Sequence, residues 1–141
     1  RLNGCYSNWE KVKSGVPQGS ILGPLLFVIF INDLEKGVVS RLLKFADDTK
    51  LLGIVCTPEE VEVLRNDLKL LVNWSRDWQM LFNVSKCKVI HFGSRNAEAD
   101  YIMEGSNLES ITEERDLGIL IHNSLKVEKQ CMKLQMQLIK C

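Results

Sequence analysis

Acidic residues are scarce in the first third of this 141-residue chain. Only Glu10, Asp33 and Glu35 precede Asp47. None of the three is an aspartate in a strand-like setting, where an enzyme that binds metal through several strands would place its other catalytic aspartate. The early part of the chain therefore offers no aspartate partner for a site built further along.

Other absences narrow the class of protein. Lys+Arg and Asp+Glu both number 18, so the net charge gives no sign of nucleic-acid binding. The five cysteines are odd in number and lack C-x-x-C spacing, which argues against a disulfide framework or a zinc site. Free thiols suit an intracellular place, nucleus or cytoplasm, rather than secretion. The longest apolar run, residues 25–31, is far short of the roughly 20 residues that span a bilayer, so we expect no membrane partner.

The composition is that of a soluble globular protein. Hydrophobic residues make up 45% and charged residues 26% of the chain, enough for one domain with a real core. Because the chain starts at Arg1 and ends at Cys141 within a helical pattern, we expect it to be a piece of a longer polypeptide. The acidic stretch 98–116 is expected to be a solvated loop.

The clearest local pattern predicts a helix over residues 58–78. Thr57 is a suitable N-cap, Pro58 suits the first helical position, and Glu60 completes a capping box. Apolar residues then follow at helical spacing: Val61, Leu64, Leu68, Leu71, Trp74 and Trp78.

Alternating segments elsewhere predict an α+β fold. Pro24 is expected to open a helix that runs to about Leu34, with Gly37 just past its end. That helix is apolar on most sides, so its uncovered surface favours self-association. Strands are expected at residues 5–12, 41–45, 49–55, 84–92 and 117–122, and a last helix from residue 123.

Two adjacent carboxylates, Asp47 and Asp48, separate two of these strands. Neighbouring strand residues face opposite sides, so both can share one site only at a tight turn or bulge. Two carboxylates held together repel unless a cation neutralises them, and Mg²⁺ is the natural partner for such oxygen ligands. On this element alone, metal binding and a plain surface turn are equally supported.

A glycine-rich loop lies upstream at residues 14–20. Gly15 and Gly19 let the backbone approach a ligand closely, Pro17 stiffens the loop, and Gln18 offers both a donor and an acceptor. Taken alone, a loop of this kind is more often a simple turn.

Together the motifs are specific. The order SGVPQGSILGP, FADDT, Trp74-x-x-x-Trp78 with Asn83-x-x-Lys86, and then HFG resembles the reverse transcriptases of non-LTR retrotransposons. The chain looks most like the chicken-repeat group of LINE elements, and the resemblance continues through residues 114–118.

The resemblance implies a partial right-hand polymerase palm with the start of the thumb. Residues 1–141 would be a truncated reverse transcriptase domain, with the palm from the glycine-rich loop onward and the thumb from about residue 117. The partners would be an RNA template, a DNA primer and deoxynucleoside triphosphates. The implied site residues are Asp47 and Asp48 as Mg²⁺ ligands, Lys86 near the triphosphate, Gly15, Pro17, Gln18, Gly19, Phe45 and Ala46 for nucleotide and template, and His91, Phe92 and Gly93 for the primer.

One departure limits what the resemblance implies. The family carries its first catalytic aspartate on a strand upstream of the glycine-rich loop, and the thirteen residues before Ser14 contain none. We therefore expect weak Mg²⁺ binding and no activity by this chain alone. Two alternatives stay open: part of an active polymerase or intron maturase whose upstream exons are absent, and a non-enzymatic module that binds nucleic acid or protein.

Overall fold

The structure is a computed structural model that describes residues 11, 15–16 and 19–126. The strand predicted at residues 5–12, the residues Pro17 and Gln18, and the last predicted helix beyond residue 126 lie outside the described residues. The chain divides into two compact units, Arg1–Asp33 and Leu34–Cys141, and each is described by itself.

The first unit contains helix α1, Leu22–Phe30. The predicted bounds were wrong at both ends. Pro24 is the third helical residue rather than the first, which costs nothing because the first four N–H groups of a helix have no acceptor within it. The helix stops at Phe30, and Ile31 caps it by donating its N–H to the Phe27 carbonyl at 3.0 Å. None of the nine helical residues is buried, so α1 carries the apolar surface that its sequence predicts.

The second unit opens with turns that include Gly37, which therefore does not end the first helix. The antiparallel hairpin of β1, Arg41–Phe45, and β2, Asp48–Leu52, follows. Phe45 pairs with Asp48, so Ala46 and Asp47 form a two-residue turn. The second strand starts one residue earlier than predicted and ends at Leu52 rather than at residue 55.

Helix α2, Pro58–Asp77, confirms the prediction. The Glu60 N–H donates to Thr57 Oγ1 at 3.4 Å, and the Glu60 carboxylate accepts from the Thr57 N–H at 3.0 Å. It also accepts from the Cys56 N–H at 2.8 Å. Trp78 is the C-cap.

Six short strands follow α2 within the described residues. They are β3 Lys88–Ile90, β4 Ile102–Met103, β5 Ser106–Asn107, β6 Glu109–Ile111, β7 Glu113–Asp116 and β8 Ile119–His122. Strands β3 and β6 pair in parallel, whereas β4–β5 and β7–β8 are antiparallel hairpins. Helices and strands are thus mixed, as expected for an α+β protein.

Three predictions for this region differ from the structure. The segment predicted as a strand at residues 84–92 begins with a 3₁₀ turn, Val84–Lys86, and only Lys88–Ile90 is a strand. The acidic segment 98–116 is not a loop but contains β4 to β7. Tyr101 and Met103 are buried there, and Glu104, Glu114 and Asp116 form ion pairs with basic residues, which stabilises the chain despite its charge. Strand β8 starts two residues later than the predicted strand at 117–122.

The core of the second unit lies between α2 and the segments before and after it in the chain. Val55, Val61 and Tyr101 are its buried centre, and five partly buried side chains pack against them: Leu64, Leu68, Val89, Ala99 and Leu108. Arg65 of α2 also contacts the segment that carries Tyr101. Its guanidinium donates to the Asp100 carbonyl at 2.9 and 3.2 Å and lies 6.0 Å from the Tyr101 ring centre. None of the helices in the described residues has the length and apolar character that crossing a membrane requires.

A buried carboxylate joins α2 to the start of β1. The Asp67 side chain is fully buried and accepts from the N–H groups of Val39 at 3.0 Å and Ser40 at 2.7 Å. Burial by itself raises the pKa of Asp67, but the hydrogen bonds from the Ser40 side chain and from the two N–H groups outweigh it and hold the pKa below its ordinary value. The carboxylate is therefore charged in the folded protein at neutral pH.

The cap of α2 provides a first test. Thr57→Ala should lower the free energy of unfolding by about 1 kcal/mol, since the side-chain acceptor for the Glu60 N–H is lost. Thr57→Ser is the matched control, because it keeps the oxygen. Urea unfolding followed by circular dichroism measures both, and equal stabilities for the alanine and serine variants would contradict the cap.

The Asp67 carboxylate provides a second test. Asp67→Asn should destabilise the protein by about 2–3 kcal/mol at pH 7, because one amide oxygen replaces two charged acceptors for buried N–H groups. A lowered folded pKa contributes stability that is present above the unfolded pKa and is lost as the pH falls through the folded value. As the pH falls below about 4, the free energy of unfolding should therefore decrease less in Asp67→Asn than in the unaltered protein. Asp77→Asn, at the exposed end of the same helix, is the control. If Asp67→Asn lost as much stability in acid as the unaltered protein, that result would argue against a charged Asp67.

Candidate active site

The turn of the β1–β2 hairpin presents both adjacent aspartates. Asp47 is the second turn residue, and Asp48 is the first residue of β2. Both are exposed, and neither carboxylate makes a hydrogen bond or an ion pair anywhere in the described part of the chain. Unpartnered carboxylates in adjacent positions repel each other, so the turn is a place where a cation would be favourable.

The backbone of this turn is unusual at Ala46, whose φ is +51°. A two-residue hairpin turn needs a positive φ, and glycine or asparagine normally supplies it. Alanine there is strained. Glu104 and Leu117, the first turn residues of the β4–β5 and β7–β8 hairpins, also have positive φ, so the unpaired charges rather than the backbone set the turn at Ala46 and Asp47 apart.

The carboxylate oxygens of Asp47 and Asp48 are the type of ligand that Mg²⁺ prefers. Mg²⁺ takes oxygen ligands and is commonly held by one or two carboxylates together with substrate phosphates and water. Asp47 and Asp48 supply two carboxylates, and no cluster of three His, Cys, Asp or Glu residues occurs among residues 19–126. The turn alone therefore fits one part of such a site.

The two lysines nearest to the turn are bound elsewhere. Lys50 Nζ lies 2.5 Å from Asp116 Oδ2 on β7, and Lys44 Nζ lies 3.5 Å from Glu35 Oε2. The first contact joins the β1–β2 hairpin to the β7–β8 hairpin. Neither ammonium group neutralises the aspartates of the turn.

An exposed apolar face lies beside Asp48. Directly opposite strand residues share a face, so Phe45 lies on the same side as Asp48. The Phe45 side chain is 60% exposed, and Leu43 and Leu52 on this face are also exposed. Phe45 and Ala46, predicted to contact nucleotide or template, are thus brought next to the two predicted metal ligands.

Lys86 is placed differently from the prediction. It is the last residue of the 3₁₀ turn before β3, not part of a strand, and its side chain is exposed. Its backbone N–H donates to the Asn83 carbonyl at 2.9 Å. The ammonium group has no ion pair within the described residues, so it is available to an anionic ligand.

The glycine-rich loop belongs to the first unit. Gly15 has φ +79° and Gly19 has φ +82°, a region that favours glycine. A Cβ atom at either position would meet nothing within 4 Å, so backbone conformation rather than space requires glycine here. Pro17 and Gln18 lie outside the described residues, and the ligand-binding role of this loop stays a prediction.

His91 and Phe92 follow β3 and lead into the turn that starts at Gly93. His91 Nδ1 lies 3.1 Å from Asn96 Oδ1, and Nε2 lies 3.3 Å from Ser110 Oγ on β6. The Asn96 oxygen also accepts from the Glu98 N–H, which identifies it as an acceptor and places the proton on Nδ1. The His91 ring is stacked on Tyr101 at 6.4 Å between centroids.

These contacts commit both ring nitrogens of His91 to the protein. Of the three residues predicted to contact the primer, Gly93, with φ +83°, is the one that is exposed. Primer contact stays a prediction for all three residues.

Sequence reasoning missed three residues that position the turn: Asp67, Lys50 and Asp116. Asp67 had a visible signal, since it lies between Leu64 and Leu71 on the apolar face of α2, where a charged residue needs buried partners. The Lys50–Asp116 pair has no such signal, because its members are 66 positions apart.

The comparisons with known proteins identify the family. The family model "Reverse transcriptase (RNA-dependent DNA polymerase)" matches residues 1–134. The chain belongs to the reverse transcriptase family.

Its relatives include polymerases of Drosophila non-LTR retrotransposons. The chain is 29% identical over 143 residues to the "RNA-directed DNA polymerase from mobile element jockey" of Drosophila funebris, covering 94% of this chain and 16% of that protein. It is 26% identical over 145 residues to the "Probable RNA-directed DNA polymerase from transposon X-element" of Drosophila melanogaster, covering 98% of this chain and 16% of that protein. This chain therefore spans about 16% of the length of these relatives.

An intron-encoded protein also matches part of the chain. The "Group II intron-encoded protein LtrA" of Lactococcus lactis is 36% identical over 89 residues, which is 62% of this chain and 14% of that protein. No solved structure matches the chain.

Proposed function

We propose that this chain supplies the Asp47–Asp48 part of the active centre of a non-LTR retrotransposon reverse transcriptase. The observation that carries the proposal is the hairpin turn with two exposed, unpaired carboxylates in a chain of this family. In this proposal the chain is a partial palm with the thumb starting near residue 117, from an element similar to the chicken-repeat group of LINE elements. The location is intracellular.

Asp47 and Asp48 would hold Mg²⁺ in the intact polymerase. There, Mg²⁺ would stabilise charge on the attacking and leaving oxygens of the phosphoryl transfer. The turn at Ala46 and Asp47 brings the two carboxylates to the same end of the hairpin. The exposed Phe45 ring offers an apolar surface to the incoming nucleotide, and the free ammonium of Lys86 would donate a proton to the pyrophosphate that leaves.

The remaining contacts follow the same scheme. The loop with Gly15, Gln18 and Gly19 would touch template and nucleotide, and the turn at Gly93 would touch the primer. The substrates would be an RNA template, an annealed DNA primer and deoxynucleoside triphosphates.

The match to an intron-encoded protein supports a second candidate, part of an intron maturase. That match covers 62% of the chain, whereas the two retrotransposon polymerases cover 94% and 98%. The retrotransposon role is therefore favoured.

Primer extension tests the proposal most directly. We expect no template-dependent extension by the 141-residue protein with RNA template, DNA primer, nucleotides and Mg²⁺ or Mn²⁺, because two adjacent carboxylates cannot fix two metal ions at the separation that the reaction needs. We do expect Mn²⁺ binding of about millimolar strength, lost in Asp47→Ala.

Asp33→Ala is the control for Mn²⁺ binding, since it removes one acid outside the turn. Extension that disappears in Asp47→Ala would show a complete active centre. It would contradict the proposal that this chain supplies only the Asp47–Asp48 part of that centre. Mn²⁺ binding that persists unchanged in Asp47→Ala would contradict the metal role of the turn.

Helix α1 gives a separate expectation. Leu25, Leu26 and Ile29 are 48–64% exposed, so the protein should self-associate as its concentration rises. Ile29→Glu should shift light scattering towards the monomer, whereas Asp33→Asn, beyond the end of α1, should not. A monomer at all concentrations would contradict this expectation.

A further inference from the structure

The charges around the hairpin turn are arranged in an unusual way. Lys50 is close to Asp48 in sequence, yet its ammonium group pairs with Asp116, 66 residues away. Lys44, on the other side of the turn, pairs with Glu35. Both lysines that flank the anionic turn are therefore held by carboxylates outside it.

Lys50 could reach the turn if it were released. Asp48 and Lys50 are alternate residues of β2, so their side chains lie on the same face with Cα atoms about 6.6 Å apart. A flexible four-carbon side chain spans that distance easily. Without Asp116, the nearest unpaired carboxylate on this face would be Asp48.

The choice between the two carboxylates is easily shifted. The side chains of Lys50 and Asp116 are 36% and 22% exposed, and ion pairs that water reaches are weak. The loss of a single acceptor is therefore enough to redirect the lysine. An ammonium group beside Asp48 would repel a divalent cation and occupy one of its two ligands.

We propose that Asp116 is a positioning residue that holds Lys50 away from the Asp47–Asp48 pair and so keeps this pair free for a divalent cation. The inference rests on the proposed function of the turn as a metal site. It adds a role for β7: the hairpin β7–β8 controls the charge balance of the turn through one ion pair.

The first measurement is Mn²⁺ binding by the 141-residue protein, followed by the electron paramagnetic resonance signal of free Mn²⁺. Asp116→Asn should weaken binding roughly tenfold, the effect of one positive charge about 6 Å from a divalent ion in water. Asp116→Asn combined with Lys50→Gln should restore the original affinity, because it also removes the competing ammonium.

Glu114→Gln is the matched control. It removes a carboxylate from the same strand, two residues away, that pairs with Lys88 at 3.2 Å instead of Lys50. Its affinity for Mn²⁺ should stay unchanged. A loss as large as that of Asp116→Asn would overturn the inference, since it would reflect general charge or folding.

The second measurement locates Lys50 without using metal. A carbodiimide joins a lysine to a carboxylate in direct contact, and mass spectrometry identifies the pair. The unaltered protein should give a Lys50–Asp116 cross-link, and Asp116→Asn should give a cross-link from Lys50 to Asp48 or Asp47. No cross-link from Lys50 to the turn in Asp116→Asn would overturn the inference.

The two measurements separate this inference from the proposed function. If the unaltered protein binds no Mn²⁺, the metal role of the turn is wrong, while a cross-link that moves to the turn still supports the diversion of Lys50 by Asp116. If the protein binds Mn²⁺ and Asp116→Asn leaves the affinity unchanged, the inference is wrong and the metal site stands.

Discussion

The buried Asp67 carboxylate is the interaction on which the second unit depends. It is fully buried on α2 and holds the N–H groups of Val39 and Ser40, the two residues before β1. A buried charge is tolerated only when its hydrogen bonds are complete, so the position of the chain at Val39 and Ser40 is strongly specified. Where β1 starts relative to the helix is thereby fixed.

From that point the register of the hairpin determines the site. Phe45 pairs with Asp48, which leaves two residues for the turn and places Asp48 on the face of Phe45. A shift of one residue in this pairing would move Asp48 to the other face. The strain at Ala46 is therefore the local cost of keeping both carboxylates at the end of the hairpin, and the anchored start of β1 helps to offset it.

Local patterns predicted the elements whose determinants lie close together in sequence. The capping box at Thr57 and Glu60 defined the start of α2, and the apolar flanks of Asp47 and Asp48 defined the hairpin. Strands β4 to β7 were missed because they are two to four residues long and lie in an acidic segment, where composition favours a loop. Their stability depends on Tyr101 and Met103, buried in the unit, and on ion pairs with residues far away in sequence.

The same difference between local and distant determinants applies to the candidate site. The candidate ligand pair Asp47 and Asp48 was recognisable from two adjacent residues in the sequence, but Lys50 and Asp116 became related only through the fold. Local sequence therefore shows which groups can bind a metal ion. Tertiary contacts decide whether nearby lysine side chains pair with those groups or leave them free. In a chain with 18 acidic and 18 basic residues, net charge says nothing about this. The pairing of Lys44 with Glu35 and of Lys50 with Asp116 leaves a negative turn in a neutral protein, and a local imbalance of this kind would favour a divalent ion.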